Sequence, residues 1–295
     1  MIGFFARILR TASIVFLSFE FTYYIGMVFV RVGRFMRIKT YDSTKNSEFH
    51  KINMINGVTI NVDRFSYMGG SVFWSGFHHI NEILFLKSIL EPQMTFIDVG
   101  ANQGEFSLFA SSILSHGKVL AFEPVSFQRN LLELNRDINS FSQLHIYPFG
   151  LSNSESKLPI YTSKNSLLHH GIHEGLSSLY ISEDRKELQE FIDLKVFDDI
   201  FFESLERLDF IKIDVEGAEL FALQGMIKSI KEFLPLVLIE INEETFSAAG
   251  YSTLEIYNFF NSINYKFFKI QRGKIDNEPV RQFDSWGNYV AKYTI

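Results

Sequence analysis

Ile97-Asp98-Val99-Gly100-Ala101-Asn102-Gln103-Gly104 reads as an apolar strand that ends on a carboxylate and turns through glycines into a helix. Glycine lets the backbone come close to a ligand where a side chain would stand in the way. The pattern is not a dinucleotide fingerprint, which needs a glycine where Asn102 stands. The loop better suits a bulky cofactor with a positive centre, with Asp98 holding the cationic end. The next strand, Val119-Leu120-Ala121-Phe122-Glu123-Pro124, ends on Glu123, where an acidic residue receives two ribose hydroxyls. Carboxylates at the ends of consecutive strands point to a nucleoside cofactor. The plainer alternative makes Asp98 a helix cap and Glu123 a solvated strand end.

Outward from this stretch the chain alternates strand and helix. Helical spacing covers 80–90, 105–115 and 126–139, and HIYPFGL (145–151) is a third strand. LDFIKIDV (208–215) is followed by a helix over 217–231, and PLVLIEI (235–241) by one over 252–262. The strands are apolar throughout, as parallel strands covered on both faces are. This order predicts an α/β fold with a doubly wound, mostly parallel sheet. YKFFKI and NYVAKYTI, joined by a turn near Gly273, predict an antiparallel C-terminal finish. Asn56-Gly57 between Lys51–Ile55 and Val58–Val62 is a hairpin signal. Residues 160–207 interrupt the alternation with extra structure.

A third carboxylate cluster lies in Lys212-Ile213-Asp214-Val215-Glu216-Gly217-Ala218-Glu219. Helix capping by Asp214, with Glu216 and Glu219 on the helix dipole, explains part of it. Carboxyl ends of strands are also where open α/β sheets bind ligands, and Glu240 and Asn242 open onto the same edge.

The chain has 295 residues, 46% of them hydrophobic, which is ample for a core and excludes general disorder. The absence of cysteine excludes disulfide scaffolds, thiolate nucleophiles and Cys-ligated metal sites. Residues 1–39 carry Arg7, Arg10, Arg31, Arg34, Arg37 and Lys39 against Glu20 alone, a net charge of +5. The chain totals −6, so the remainder carries −11 and is a poor match for nucleic acid. Residues 11–30 approach bilayer length. Their apolar side chains favour insertion by about 3–6 kcal/mol, but Glu20 and four hydroxyl residues cancel most of that. A spanning helix, a helix lying in the interface, and a helix packed on its own domain all remain open. The predicted organisation is an N-terminal helical extension over 1–39, a linker and hairpin over 40–74, and a cofactor domain over 75–295. If the segment spans, the heavier basic flank stays cytoplasmic and leaves the body inside; the expected location is the cytoplasm, free or on the cytoplasmic face of a membrane.

FIDVGANQGEFSLFAS, AFEP, VFDDI…LDFIKIDVEGAELFALQGM and LIEIN resemble the FkbM-type S-adenosylmethionine-dependent methyltransferases over about residues 75–295. The resemblance implies a Rossmann-like methyltransferase fold and S-adenosylmethionine as cofactor. It implies that Asp98, Gly100, Asn102 and Gly104 shape the methionine and ribose pocket, and that Glu123 binds the ribose. It also puts Asp214 beside the methyl-bearing sulfur, Asn153 near the adenine, and Ser177-Ser178 in the position of a family serine pair. VFDDI departs from the family's Leu-Asp-Asp pattern, and residues 161–190 match little.

The implied reaction is displacement of a methyl group from the sulfonium by a hydroxyl of a sugar, glycolipid or related metabolite, on a small-molecule or lipid-linked acceptor. Asp214, Glu216 and Glu240 are the candidates for base or metal ligand, and oxygen donors suit magnesium or manganese. His169-His170-Gly171-Ile172-His173 reads as a surface loop, with a substrate-side base as the minority reading. The rival classes are a nicotinamide-dependent oxidoreductase or epimerase and a non-catalytic membrane-associated binding protein of the same fold. The sequence assigns no oligomeric state.

Overall fold

Strand alternation sends successive residues of Thr95–Val99 (β3) to opposite faces of a sheet, and each face finds its own core. Phe96 joins Val119, Ala121, Phe210 and Leu238 on one side, while Ile97 and Val99 join Leu120, Phe122, Ile211 and Ile213 on the other. The computed structural model describes residues 2–41, 47–162, 177–181 and 185–294.

The main sheet has eight strands. From β3 the chain steps outward to Lys118–Phe122 (β4) and Leu144–Tyr147 (β5), all parallel. It then returns to the other side of β3 with Phe210–Ile213 (β9) and Leu236–Asn242 (β10), also parallel. The order therefore reverses beside β3, the position where doubly wound sheets bind ligands. Trp286–Tyr293 (β13) runs antiparallel between β10 and Tyr265–Gln271 (β11), so the expected antiparallel finish is present; the two-residue Lys274–Ile275 (β12) forms the edge.

Helices Ile80–Ile89 (α4), Glu105–Ser111 (α5) and Ser126–Asn139 (α6) fall within the predicted segments. Phe49–Asn53 (β1) and Thr59–Asp63 (β2) form the hairpin, with Asn56 and Gly57 both at positive φ. Asn135 and Asn139 of α6 satisfy the open edge of β2 by accepting from the Asn61 and Thr59 N–H groups.

Two predicted elements are broken. The helix expected over 217–231 is two, Glu219–Gln224 (α8) and Ile227–Phe233 (α9). At Gly225, between them, a Cβ would stand 2.1 Å from the Ser152 carbonyl, so the chain turns there to let a loop in. The third strand ends at Tyr147. Gly150–Leu151 (β6) leaves the main sheet and, with Ser156–Thr162 (β7) and Glu187–Lys195 (β8), builds a three-stranded sheet. Phe197–Phe201 (α7) then leads back to β9.

The spanning alternative for residues 11–30 is not met. The segment bends at Ser18–Thr22 and divides between Ile2–Leu17 (α1, 16 residues) and Tyr23–Thr40 (α2, 18 residues). Ser18 Oγ and Thr22 Oγ1 donate back to the Ile14 and Phe16 carbonyls, hydroxyl chemistry that competes with helix continuation. Among the described residues no helix is long and apolar enough to cross a membrane. Both helices rest on Tyr67–Ser75 (α3), held by Arg10 donating to the Phe73 carbonyl and Arg37 donating to the Tyr67 carbonyl. The remaining helices, Glu243–Ala248 (α10) and Thr253–Asn261 (α11), flank the C-terminal strands; α11 carries a capping box of Ser252 and Glu255.

Candidate cofactor and methyl-transfer site

Gly100 stands where the loops after β3 and β9 meet. Its φ is +78°, and a Cβ there would lie 2.0 Å from the Asp214 carbonyl, so only glycine lets the two loops touch. Above this junction opens a cavity of about 890 Å³, its mouth included. Its apolar end is walled by Leu151, Ile160, Ile192 and Leu194, from β6, β7 and β8, on the β4 side. Its polar end, on the β9 side, has His79, Lys212, Asp214 and Glu216.

Glu123 lies between the two ends. Its carboxylate accepts the Asn102 N–H at 2.8 Å and the Val125 N–H at 2.9 Å, which ties the loops after β3 and β4 together. Burial pushes it up to about 7, although those two N–H donors and Lys212 oppose the rise. Gly100, Asn102, Glu123 and Asp214 all line the cavity.

Three of the expected residues lie off the cavity wall. Asp98 does not line the cavity: it is fully buried below it, accepting from Ser107 Oγ at 2.6 Å and facing Lys212 Nζ at 3.4 Å. Direct register pairing of Asp98 with Lys212 on neighbouring parallel strands puts both on one face, so the cation it holds is the protein's own. Gly104 is a packing glycine. A Cβ there would meet Leu132 Cδ1 at 2.3 Å, so it admits α6 rather than the cofactor. Asn153 is exposed and donates to Gln224 Oε1 at 2.7 Å; it is absent from the cavity wall, which apolar residues of the small sheet form instead.

The Lys212–Glu219 stretch is a self-bracing loop. Lys212 donates to the Gly100 carbonyl at 2.8 Å and lies 3.7 Å from Asp214. Burial works against its charge, but Asp98 and Asp214 outweigh it and hold Lys212 above its usual range. Glu219 turns back to accept the Val215 and Gly217 N–H groups, both at 3.0 Å, and burial pushes it up to about 7. Glu216 takes a positive φ of 53°, and its carbonyl accepts from Ser178 Oγ at 2.7 Å. Its carboxylate pairs with Arg185 at 3.0 Å, yet burial and Asp214 push it up to about 7. Glu240 accepts from the Trp286 indole at 2.9 Å, and burial with Asp214 raises it strongly. Carboxylate oxygens of Asp214, Glu216 and Glu240 lie within 4.8 Å of one another. Of the serine pair, Ser177 reaches the cavity wall. His169, His170 and His173 lie outside the described residues.

Lys212, Arg185 and the His78-His79 pair carried no local signal of a role. His79 also lines the cavity, with its Nδ1 2.9 Å from Glu105 Oε2. Glu105 directly follows the glycine loop, which is a usable signal; its partner, 26 residues earlier, leaves none.

The structure thus brings an acidic cluster braced by Lys212 and Arg185, the strand-end Glu123 and a cavity together at the sheet's switch point. The methyltransferase FkbM domain model matches residues 98–267. The methyltransferase sdnD of Sordaria araneosa is 33% identical over 176 residues, covering 50% of this chain and 67% of that protein. The AMB antimetabolite synthetase AmbE of Pseudomonas aeruginosa is 27% identical over 186 residues, 53% of this chain but 9% of the synthetase. A solved methyltransferase FkbM from Methylobacillus flagellatus KT overlays with a TM-score of 0.45 at 20% identity, covering 70% of this chain and 44% of that one. The chain belongs to the FkbM methyltransferase family, whose methyl donor is S-adenosylmethionine.

That donor makes the position of Glu123 testable. Ribose hydroxyls donate to a carboxylate, so binding requires the ionised form, and in the free protein Glu123 gains its proton near pH 7. Affinity for S-adenosylmethionine is therefore expected to rise from pH 6 to pH 8 by about tenfold, one pKa unit's worth of binding. Glu123→Gln should flatten that dependence and weaken binding at pH 8. Calorimetric titration at three pH values checks it; an unchanged slope in the variant would remove Glu123 from the ribose site.

Proposed function

We propose that the protein transfers the methyl group of S-adenosylmethionine to a hydroxyl oxygen of a sugar, glycolipid or related metabolite. The observation that carries this reading is Trp286: 61% exposed, it stands at the rim of the acidic end with its indole hydrogen-bonded to Glu240. An open aromatic face beside carboxylates is a platform for a sugar ring, with apolar C–H groups on the indole and hydroxyls toward the acids. Asp214, Glu216 and Glu240 can also supply the all-oxygen donor set that magnesium or manganese takes.

The test is transfer of labelled methyl from S-adenosylmethionine to a panel of methyl glycosides, with and without EDTA. Labelled sugar ether is the expected product, and Trp286→Ala should raise KM for the sugar while leaving cofactor affinity intact. Labelled nitrogen or carbon products on competing acceptors, with no sugar ether, would overturn the reading. Turnover that survives EDTA would assign the three carboxylates to acceptor binding without a metal.

A lipid-linked acceptor is favoured by α1 and α2, whose outward face is apolar: Phe4, Ile8, Val15, Val28, Phe35 and Ile38 are exposed. This hairpin packs on α3, and Met68 of α3 lines the cavity. The protein would then lie on the cytoplasmic face of a membrane, within reach of lipid-borne hydroxyls.

A further inference from the structure

An alcohol holds its proton too tightly to attack a methyl group unaided, so methyl transfer to oxygen needs a base at the reacting end of the cavity. The carboxylates there are engaged: Glu216 with Arg185, Glu240 with Trp286, and Asp214 near Lys212. His79 is placed differently. Glu105 is buried, and its Oε1 accepts the His78 N–H at 2.6 Å and the His79 N–H at 3.3 Å, which pins the carboxylate. The other oxygen, Oε2, lies 2.9 Å from His79 Nδ1. A carboxylate only accepts, so Nδ1 carries the proton and donates it, leaving the Nε2 lone pair free. No hydrogen bond to Nε2 is found among the described residues. The ring packs on Phe106 at 5.2 Å, and both side chains line the cavity with Asp214.

We propose that His79 is the general base of the transfer, with Glu105 as its orienting partner; the role rests on the hydroxyl-acceptor reading above. As the acceptor oxygen attacks the methyl carbon, the O–CH3 bond forms and the S–CH3 bond breaks, its electron pair remaining on sulfur. The hydroxyl proton passes to Nε2. The positive charge of the sulfonium thus moves to the imidazolium, which the Glu105 carboxylate stabilises. With 23% of its side chain exposed, His79 can return the proton to solvent.

The charged groups around the ring favour this cycle. Burial disfavours the imidazolium, but Glu105 of α5, Glu82 of α4 and Asp214 after β9 raise His79 above its usual range. The adjacent His78 differs: burial, His79 and Arg37 pull it down to about 3, against Glu105 and Asp214, so it stays neutral.

Two measurements on the full chain decide the matter. In the first, 15N-imidazole NMR is expected to show His79 as the Nδ1–H tautomer, titrating above 6.5, with Glu105→Gln lowering that pKa. An Nε2–H tautomer, or a titration indifferent to Glu105→Gln, would overturn the dyad. The second uses the methyl glycosides and labelled S-adenosylmethionine. His79→Gln should lower kcat by about 10²–10⁴-fold, leave S-adenosylhomocysteine affinity unchanged and abolish the acidic limb of the pH profile. A retained limb would overturn the base role. Should wild type methylate no sugar, the acceptor reading fails by itself, and the NMR result still decides the dyad.

Discussion

Lys212→Met is expected to lower stability by about 3–5 kcal/mol, the cost of leaving a buried charge without its partner. Asp98 has no exposed surface, and among the described residues the cation facing its Oδ1 is the Lys212 ammonium at 3.4 Å. Ser107 satisfies the other oxygen, so removing the lysine strands one carboxylate oxygen in an apolar layer formed by Phe96, Phe106 and Phe210. The Gly100 carbonyl loses its donor at the same time, and with it the junction that shapes the cofactor loop. Asp98→Asn/Lys212→Met should recover much of the loss, because an amide is far cheaper to bury than a lone carboxylate. Denaturant midpoints for the two single variants and the double close the cycle. Destabilisation of the double variant equal to the sum of the two single variants would mean that the pair is not coupled.

The same pair shows what could be read in advance. Period-two alternation and an apolar strand on each side are local signals, so the sheet, its strand ends and the acidic edge were legible from FIDV, AFEP and KIDV. Which end residue faces the ligand depends on register between strands 114 residues apart, and no local pattern carries that. Asp98 consequently lies under the site that its position promised. Gly104 likewise packs on Leu132 off the cavity wall, since a glycine admitting a helix and one admitting a ligand look alike in sequence. Asn153 was placed by resemblance; it sits exposed in the turn after β6, whose Leu151 walls the cavity instead. His79 stayed silent because its partner Glu105 is brought to it only by the packing of α4 against α5. In the N-terminal segment, apolar content was visible but the bend at Ser18–Thr22 was not, because hydroxyl back-bonding competes with a helix by small margins.

Vesicles containing phosphatidylglycerol are expected to sediment with the full chain, and the variant Phe4→Ser/Ile8→Ser/Val15→Ser/Val28→Ser/Phe35→Ser to lose at least about 10³-fold in affinity. Each of these side chains is worth about 1.5–3 kcal/mol when removed from water, so even partial immersion of five exceeds the roughly 4 kcal/mol that such a loss represents. The hairpin is apolar on both faces, with Leu9, Leu17 and Val30 buried. Small residues face inward: a Cβ on Gly26 would meet Leu17 Cγ at 2.6 Å, and one on Gly33 would meet Ser75 Oγ at 2.7 Å. Phe4, Ile8, Val15, Val28, Phe35 and Ile38 face outward, with Arg7, Arg31, Arg34 and Lys39 exposed among them. A second copy would bring the same +5 segment against itself, whereas anionic headgroups meet it with opposite charge. Binding should therefore weaken as salt rises, while the apolar part persists. The five-serine variant should still bind S-adenosylhomocysteine, since none of its changes touches the cavity wall. Wild type that stays in the supernatant would overturn lipid docking, and a dimer dissolved by the same five changes would assign the face to self-association.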